Sequence, residues 1–143
     1  VRSLLEADGG DISVAAADLA VVHCDRNRIG QVLRILLDNA IRYCAEAPRI
    51  AISVEARKSG YVLTVQDIGV GIAEEEIAII FERFRRGGNL HELPNKVSGL
   101  GLGLPLAKSI VEAHGGTLSC HSTPGQGTAM TFCLKYTTIR RQP

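Results

Sequence analysis

A two-layer α/β sandwich, with a mixed and mostly antiparallel sheet and its helices on one face, is the fold this sequence predicts. Two observations point there. Strand-like stretches come in adjacent pairs instead of alternating strictly with helices, which argues against a doubly wound parallel sheet. The chain has 143 residues, 45% hydrophobic and 22% charged, which matches the roughly 150 residues expected of one domain around a single core.

The elements follow in order from periodicity. Ile12 to Ala16 and Leu19 to Cys24 read as short strands. Ile29, Val32, Leu33, Leu36, Leu37 and Ala40 recur at helical spacing and predict an amphipathic helix over about Asp25 to Cys44, with Asp25 as its N-cap and Pro48 closing the segment beyond it. Ile50, Ile52 and Val54, then Tyr61, Leu63 and Val65, alternate as a hairpin joined through Lys58-Ser59-Gly60. After Asp67 a glycine-bearing turn leads to a short helix through Glu74 to Phe84, acidic in its first turn, where the macrodipole favours negative charge. The densest run of helix and strand breakers spans Gly87 to Gly103. Leu104 to His114 is helical again, with Pro105 tolerated in the first turn and Gly115-Gly116 ending it. Thr117 to His121 and Thr128 to Lys135 are the last strands, linked by Ser122 to Gly127. Thr137 to Pro143 has no apolar periodicity and is expected to fray.

Composition excludes several functions. Sixteen Lys plus Arg against fifteen Asp plus Glu leave a net charge of +1, far from the basic footprint of a duplex-binding protein, so no nucleic-acid partner is expected. No apolar run approaches the roughly 18 residues of a bilayer span. The four cysteines (Cys24, Cys44, Cys120, Cys133) are spread singly beside apolar residues, as expected of buried free thiols in a reducing, cytoplasmic compartment. The four histidines are too scattered for a metal site. Cys120 and His121 are neighbours on a strand and point to opposite faces. Without an initiating Met or a signal-peptide pattern, and opening on Val1-Arg2-Ser3-Leu4-Leu5, the chain is expected to be part of a longer protein.

Three segments carry the candidate chemistry. Arg28, Ile35, Asn39 and Arg42 fall on one flank of the long helix, bordering its apolar face. An amide and a guanidinium one turn apart suit a magnesium-bound polyphosphate, Asn39 holding the metal and Arg42 a phosphate; equally, both are ordinary polar residues at a core boundary. Asp67 closes an alternating strand and precedes Gly69 and Gly71, which let the backbone turn sharply beside a flat ligand. Its carboxylate can accept from the N6 amine of adenine, or the segment is a tight Asp-x-Gly turn that caps the next helix. Gly99, Gly101 and Gly103 precede a helix, so free N–H groups and the positive dipole end can meet a phosphate, the alternative being a plain surface loop. The spacing is neither a Walker A loop nor a Gly-x-Gly-x-x-Gly fingerprint. Arg86 to Ser98 has the composition of a mobile lid.

Together these segments resemble the N, G1, F and G2 boxes of the ATP-binding catalytic domain of sensor histidine kinases, in that family's order, over about Leu19 to Leu134. Asp25 to Leu33 with Asn39-Ala40-Ile41-Arg42-Tyr43 resembles the N box, and Asp67-Ile68-Gly69-Val70-Gly71-Ile72 the G1 box. Ile80-Phe81-Glu82-Arg83-Phe84-Arg85-Arg86 resembles the F box and Ser98-Gly99-Leu100-Gly101-Leu102-Gly103-Leu104 the G2 box. Gly125-Gln126-Gly127-Thr128 is similar to the closing G3 turn. The resemblance implies the Bergerat-type ATP fold. It puts Asn39 on Mg²⁺, Arg42 and Tyr43 near the nucleotide, Asp67 on adenine, and the G2 amides at the phosphates. The implied nucleotide site also takes in Gly69, Gly71, Ile72, Arg85, Gly99, Leu100, Gly101, Leu102, Gly103, Leu104 and Thr128.

The departures matter as much. One turn before Asn39 the kinases commonly carry a second Asn, and gyrases and Hsp90 chaperones a Glu that activates water; this chain has Ile35, which cannot act as a base. Hydrolysis of the gyrase type is therefore disfavoured, whereas transfer to an external nucleophile depends chiefly on positioning and charge neutralisation. Phe81 and Phe84 are either core residues or part of the docking surface for the histidine-bearing helices. His91-Glu92-Leu93-Pro94-Asn95 resembles the family's phosphoacceptor box only superficially, and His114 reads as a helix C-terminal cap.

The expectation is a histidine kinase catalytic domain over residues 11–136, with residues 1–10 left from a dimerisation domain and 137–143 a tail. It would use Mg·ATP to phosphorylate a histidine upstream of this chain. In the whole protein it would work as a homodimer with a cognate response regulator, as the cytoplasmic part of a sensor whose membrane anchoring stays open. Alternatives are a serine protein kinase of the same superfamily and a non-catalytic nucleotide-binding interaction module.

Overall fold

The computed structural model describes residues 11–16, 24–42, 44, 47–82 and 103–135. Along them run β1 (Asp11–Ala16), α1 (Arg26–Arg42), β2 (Arg49–Ala56), β3 (Gly60–Asp67), α2 (Glu74–Ile77), α3 (Gly103–Ala113), β4 (Leu118–Thr123) and β5 (Gly127–Lys135). The strands form one five-stranded sheet in the order β1-β2-β3-β5-β4. β1 lies parallel to β2, because α1 intervenes and carries the chain back along the sheet; the other three pairings are antiparallel. The sheet is thus mixed and mostly antiparallel. The expected strand over Leu19 to Cys24 lies outside the described residues except for Cys24, which sits in a bend ahead of α1.

Alternation puts one face of the sheet under the helices. Ile50 and Val65 from β2 and β3, Met130, Phe132 and Leu134 from β5, and Leu118 from β4 are all buried there. Against them pack Val32 and Leu36 of α1 with Ala107 and Val111 of α3. Val32, Ala107, Val111 and Phe132 have no exposed surface, so the core centres between these two helices and β5. The opposite face keeps polar side chains, including Thr64 and Thr131, whose hydroxyls share a hydrogen bond of 3.2 Å.

Local chemistry fixes the helix ends. Asp25 Oδ1 accepts from the N–H groups of Asn27 and Arg28, both at 3.1 Å, and so caps α1. Arg42 stands in its last turn, where the dipole favours a cation. At the end of α3 the Gly115 N–H reaches Glu112 O at 2.9 Å and the Gly116 N–H reaches Val111 O at 3.0 Å, closing the helix where the glycine pair predicts.

The short helix departs from expectation. Regular helix covers only Glu74–Ile77, followed by turns through Glu82, and Phe84 lies outside the described residues. Ala73 at its N-cap has no side chain to accept a hydrogen bond, and the N–H groups of Ile79 and Glu82 make i to i−3 bonds that tighten the chain. This turn buries Ile80, and Phe81 packs at the core's edge.

Candidate nucleotide site

Two contacts fix how α1 lies on α3. Near one end His114 Nε2 accepts from the Asp25 N–H at 3.0 Å, while His114 Nδ1 faces Ile110 O at 2.8 Å. A carbonyl only accepts, so Nδ1 carries the proton and Nε2 the lone pair. Near the other end Gly103 comes so close to Ile35 that an added Cβ would lie 3.3 Å from Ile35 Cγ2. Both contacts are satisfied only if the helices run antiparallel, with the two anchor points about 16 Å apart on each axis at 1.5 Å per residue. Asn39 and Arg42 then lie about 6 and 10 Å further along α1, past the start of α3.

The sheet brings Asp67 to the same end. From α3 the chain passes through Thr117, whose carbonyl accepts from the Cys133 N–H at 3.2 Å, into β4. β4 returns to the end where α3 starts, and there Thr123 and Ser122 face Gly127 and Thr128 across the register. Asp67 closes β3 beside them, because Gln66 pairs with Ala129 one step before.

Asp67 is only 4% exposed. Its Oδ1 accepts from the Thr128 N–H at 3.3 Å, and the Gly69 N–H also bonds the carboxylate. Burial nonetheless wins over these two bonds and pushes its pKa up to about 6 from the ordinary 3.8. The charge of Asp67 is felt by Cys120, whose thiol is pushed up to about 11, first by burial and then by that carboxylate. Cys120 is therefore a neutral wall residue and no nucleophile at physiological pH.

The turn after Asp67 interlocks with the β4–β5 turn. Gly71, at φ 75°, has no room for a Cβ because Thr123 O stands there, and Gly127, at φ 114°, has none because of Asp67 O. The Gly125 N–H donates to Val70 O at 2.7 Å. Beneath the interlock Ser122 Oγ accepts from the Ile72 N–H at 2.7 Å, donates to Gly127 O at 2.9 Å and lies 2.8 Å from Thr128 Oγ1. By sequence alone Ser122 is only the first residue of the linker before the last strand. The available signal was its position opposite Thr128 across a Pro-Gly hairpin, which sets two hydroxyls on one face.

Of the residues singled out from sequence, Asn39, Arg42, Asp67, Gly69, Gly71, Ile72, Gly103, Leu104 and Thr128 are described, and they gather at this end of the sandwich. Ile72 and Leu104 are buried and anchor the turn and α3 in the core. Tyr43, Arg85, Gly99, Leu100, Gly101, Leu102 and the His91 segment lie outside the described residues. Ile35, half-buried, packs against the core beside Gly103.

Among the described residues no group of three His, Cys, Asp or Glu could hold a metal ion. A magnesium ion carried in by a polyphosphate needs only one or two protein oxygens. Asn39 fits that need: its side chain is half-buried at the helix flank, and its Nδ2 is buried without a hydrogen-bond partner among the described residues. Rotating the amide by half a turn exchanges oxygen and nitrogen, so that position can present an acceptor to a cation or a donor to a phosphate.

A two-layer sandwich with a buried carboxylate at a glycine turn, and a helix start and a helix-borne amide at the same end, is the arrangement of an ATPase-type domain. The chain belongs to the histidine kinase-, DNA gyrase B- and HSP90-like ATPase family, which it matches over residues 24–138. It is 49% identical over 112 residues to the sensor histidine kinase YkoH of Bacillus subtilis, covering 78% of this chain and 24% of that protein. With the sensor histidine kinase WalK of the same organism it shares 36% over 117 residues, covering 80% and 19%. The chain thus spans a quarter or less of the length of these curated relatives. Among solved structures the catalytic domain of histidine kinase ThkA superposes with a TM-score of 0.80 at 27% identity, covering 95% of this chain and 86% of that one. Full-length ShkA in complex with AMPPNP does so with a TM-score of 0.80 at 25% identity, covering 96% and 28%. No helix among the described residues is long and apolar enough to cross a membrane.

Proposed function

We propose that residues 11–136 form a protein-histidine kinase catalytic domain that binds Mg·ATP and passes the γ-phosphoryl group to a histidine on a separate dimerisation domain. The observation that carries this reading is the buried Asp67 carboxylate, held by backbone N–H groups at the same end of the sandwich as Asn39 and the start of α3. Buried acceptors of this kind suit the exocyclic amine of adenine. The first-turn amides of α3 suit phosphate oxygens, and Arg42 adds a positive charge from the facing helix. Asn39 would hold Mg²⁺, which when bound neutralises and orients the terminal phosphates. In the transfer a ring nitrogen of the acceptor histidine bonds to the γ-phosphorus while the bond to the β,γ-bridging oxygen breaks and ADP leaves.

The kinship with YkoH and WalK, and with ShkA bound to AMPPNP, supports the same reading. It extends the proposal to a homodimeric whole protein with its own response regulator, residues 1–10 leading in from the dimerisation domain and 137–143 forming a tail. Titration of the chain with Mg·ADP tests the nucleotide step. A Kd unaffected by Asp67→Asn, or no binding at all, would overturn the assignment.

A further inference from the structure

The hydroxyl network under Asp67 satisfies all three of its contacts at once in one arrangement of protons. A serine oxygen offers one proton and two lone pairs. Ser122 Oγ receives the Ile72 N–H at 2.7 Å, and its own proton goes to Gly127 O at 2.9 Å, since a carbonyl can only accept. The remaining contact, 2.8 Å to Thr128 Oγ1, must then use the threonine's proton and the second serine lone pair. In that arrangement Thr128 has given its only hydroxyl proton away and has only lone pairs left to offer. Its side chain shares the helix-covered face with Asp67, whose carboxylate also only accepts when ionised.

We propose that Ser122 is a specificity-determining positioning residue: by taking the Thr128 hydroxyl proton it leaves a base site lined by acceptors, which takes a 6-aminopurine and refuses a 6-oxopurine. The proposal rests on the reading that Asp67 meets the nucleotide base. The N6 amine of adenine brings two N–H donors to such a site. Hypoxanthine brings an oxygen at that position, which would face acceptors and find no hydrogen, and its own donor, N1–H, lies one ring atom away from the place the N6 amine takes. Sites that bond a particular donor reject analogues lacking it by large factors, because their own buried groups go unpaired. Ser122→Ala removes the acceptor that fixes the threonine proton, so the Thr128 hydroxyl can turn and donate to a 6-oxo group.

The experiment measures Kd for Mg·ADP and Mg·IDP by calorimetry on the wild-type chain, Ser122→Ala, Ser122→Thr and Ser122→Cys, with circular dichroism to confirm folding. The wild type is expected to favour ADP by about 100-fold or more. Ser122→Ala is expected to narrow that ratio by about tenfold, the worth of one hydrogen bond, while Ser122→Thr retains it. Should the alanine variant not fold, Ser122→Cys, a weak donor and weak acceptor, must narrow the ratio in the same direction. An unchanged ratio in a folded alanine or cysteine variant overturns the role of Ser122 while leaving adenine binding intact. A wild type that binds neither nucleotide, or both equally, overturns the base reading itself and this inference with it.

Discussion

Asp67, the side chain proposed to meet the nucleotide base, is kept buried at the expense of folding. Its pKa in the folded chain is about 6, above the ordinary 3.8, so the native state holds the proton more tightly than the unfolded chain does. The stability this group contributes is therefore complete below the unfolded value and is lost as pH rises through about 6. Asp67→Asn removes the charge and keeps the size, so the variant is expected to be at least as stable as wild type at neutral pH in urea denaturation. Nucleotide affinity should move the other way. The asparagine has one acceptor oxygen for the Thr128 and Gly69 N–H groups and the base together, and the charge assistance is gone. Mg·ADP should bind about 100-fold more weakly, the loss expected for a buried charged hydrogen bond. Because the carboxylate is the form that accepts from an amine, wild-type affinity should hold at neutral pH and decline below about pH 6 by up to tenfold per unit. Calorimetry at pH 5.5 in buffers of different ionisation enthalpy should register proton release on binding. Affinity independent of pH over that range would mean that Asp67 does not meet the ligand.

At the scale of elements, the antiparallel pair α1 and α3 sets how far Asn39 projects past the start of α3, and His114 is the visible fastener at its far end. His114→Ala loses the bonds to Ile110 O and to the Asp25 N–H and should cost about 1–3 kcal/mol in chemical denaturation. Asn or Gln can restore at most one of the two bonds and should fall between. An alanine variant as stable as wild type would remove His114 from the account. Much of this architecture was legible beforehand. Period-2 runs gave β2, β3 and β5, the 3.6-period stripe gave α1 and α3, and Asp25 and Gly115-Gly116 marked helix ends. The parallel pairing of β1 with β2 was not legible, because alternation reports a buried face but not the direction of a neighbour. Nor was the shortening of α2 to Glu74–Ile77, since a run of isoleucines fits a buried turn as well as a helix. The site divided along the same line. Asn39, Asp67 and the glycines stood out by type and spacing, whereas Ser122 acts through contacts with Ile72, Gly127 and Thr128 that exist only once two turns interlock.

At the scale of the whole molecule, the arrangement predicts a chain that binds its nucleotide well and does little to it alone. Hydrolysis needs a base poised to take a proton from water near the γ-phosphorus. One turn before Asn39 the described flank of α1 offers Ile35, an alkyl group pressed on Gly103, which can exclude water but cannot accept a proton. Phosphoryl transfer to an imidazole makes no such demand, because the attacking nitrogen already has its lone pair, and catalysis reduces to alignment and charge neutralisation. Saturating Mg·ADP should stabilise the chain by mass action, about 2.7 kcal/mol at a hundred times Kd, readable as a rise in thermal midpoint. Incubation of the isolated chain with γ-labelled ATP and Mg²⁺ should release phosphate no faster than buffer does. Adding the histidine-bearing dimerisation domain of a relative such as YkoH should move label onto that histidine, acid-labile and base-stable as a phosphoramidate is. Brisk phosphate release without the added domain would require a base that Ile35 cannot supply. Label appearing on serine of an added protein would instead favour the serine-kinase branch of the superfamily. Nucleotide binding without transfer to any supplied histidine would reduce the chain to a binding module.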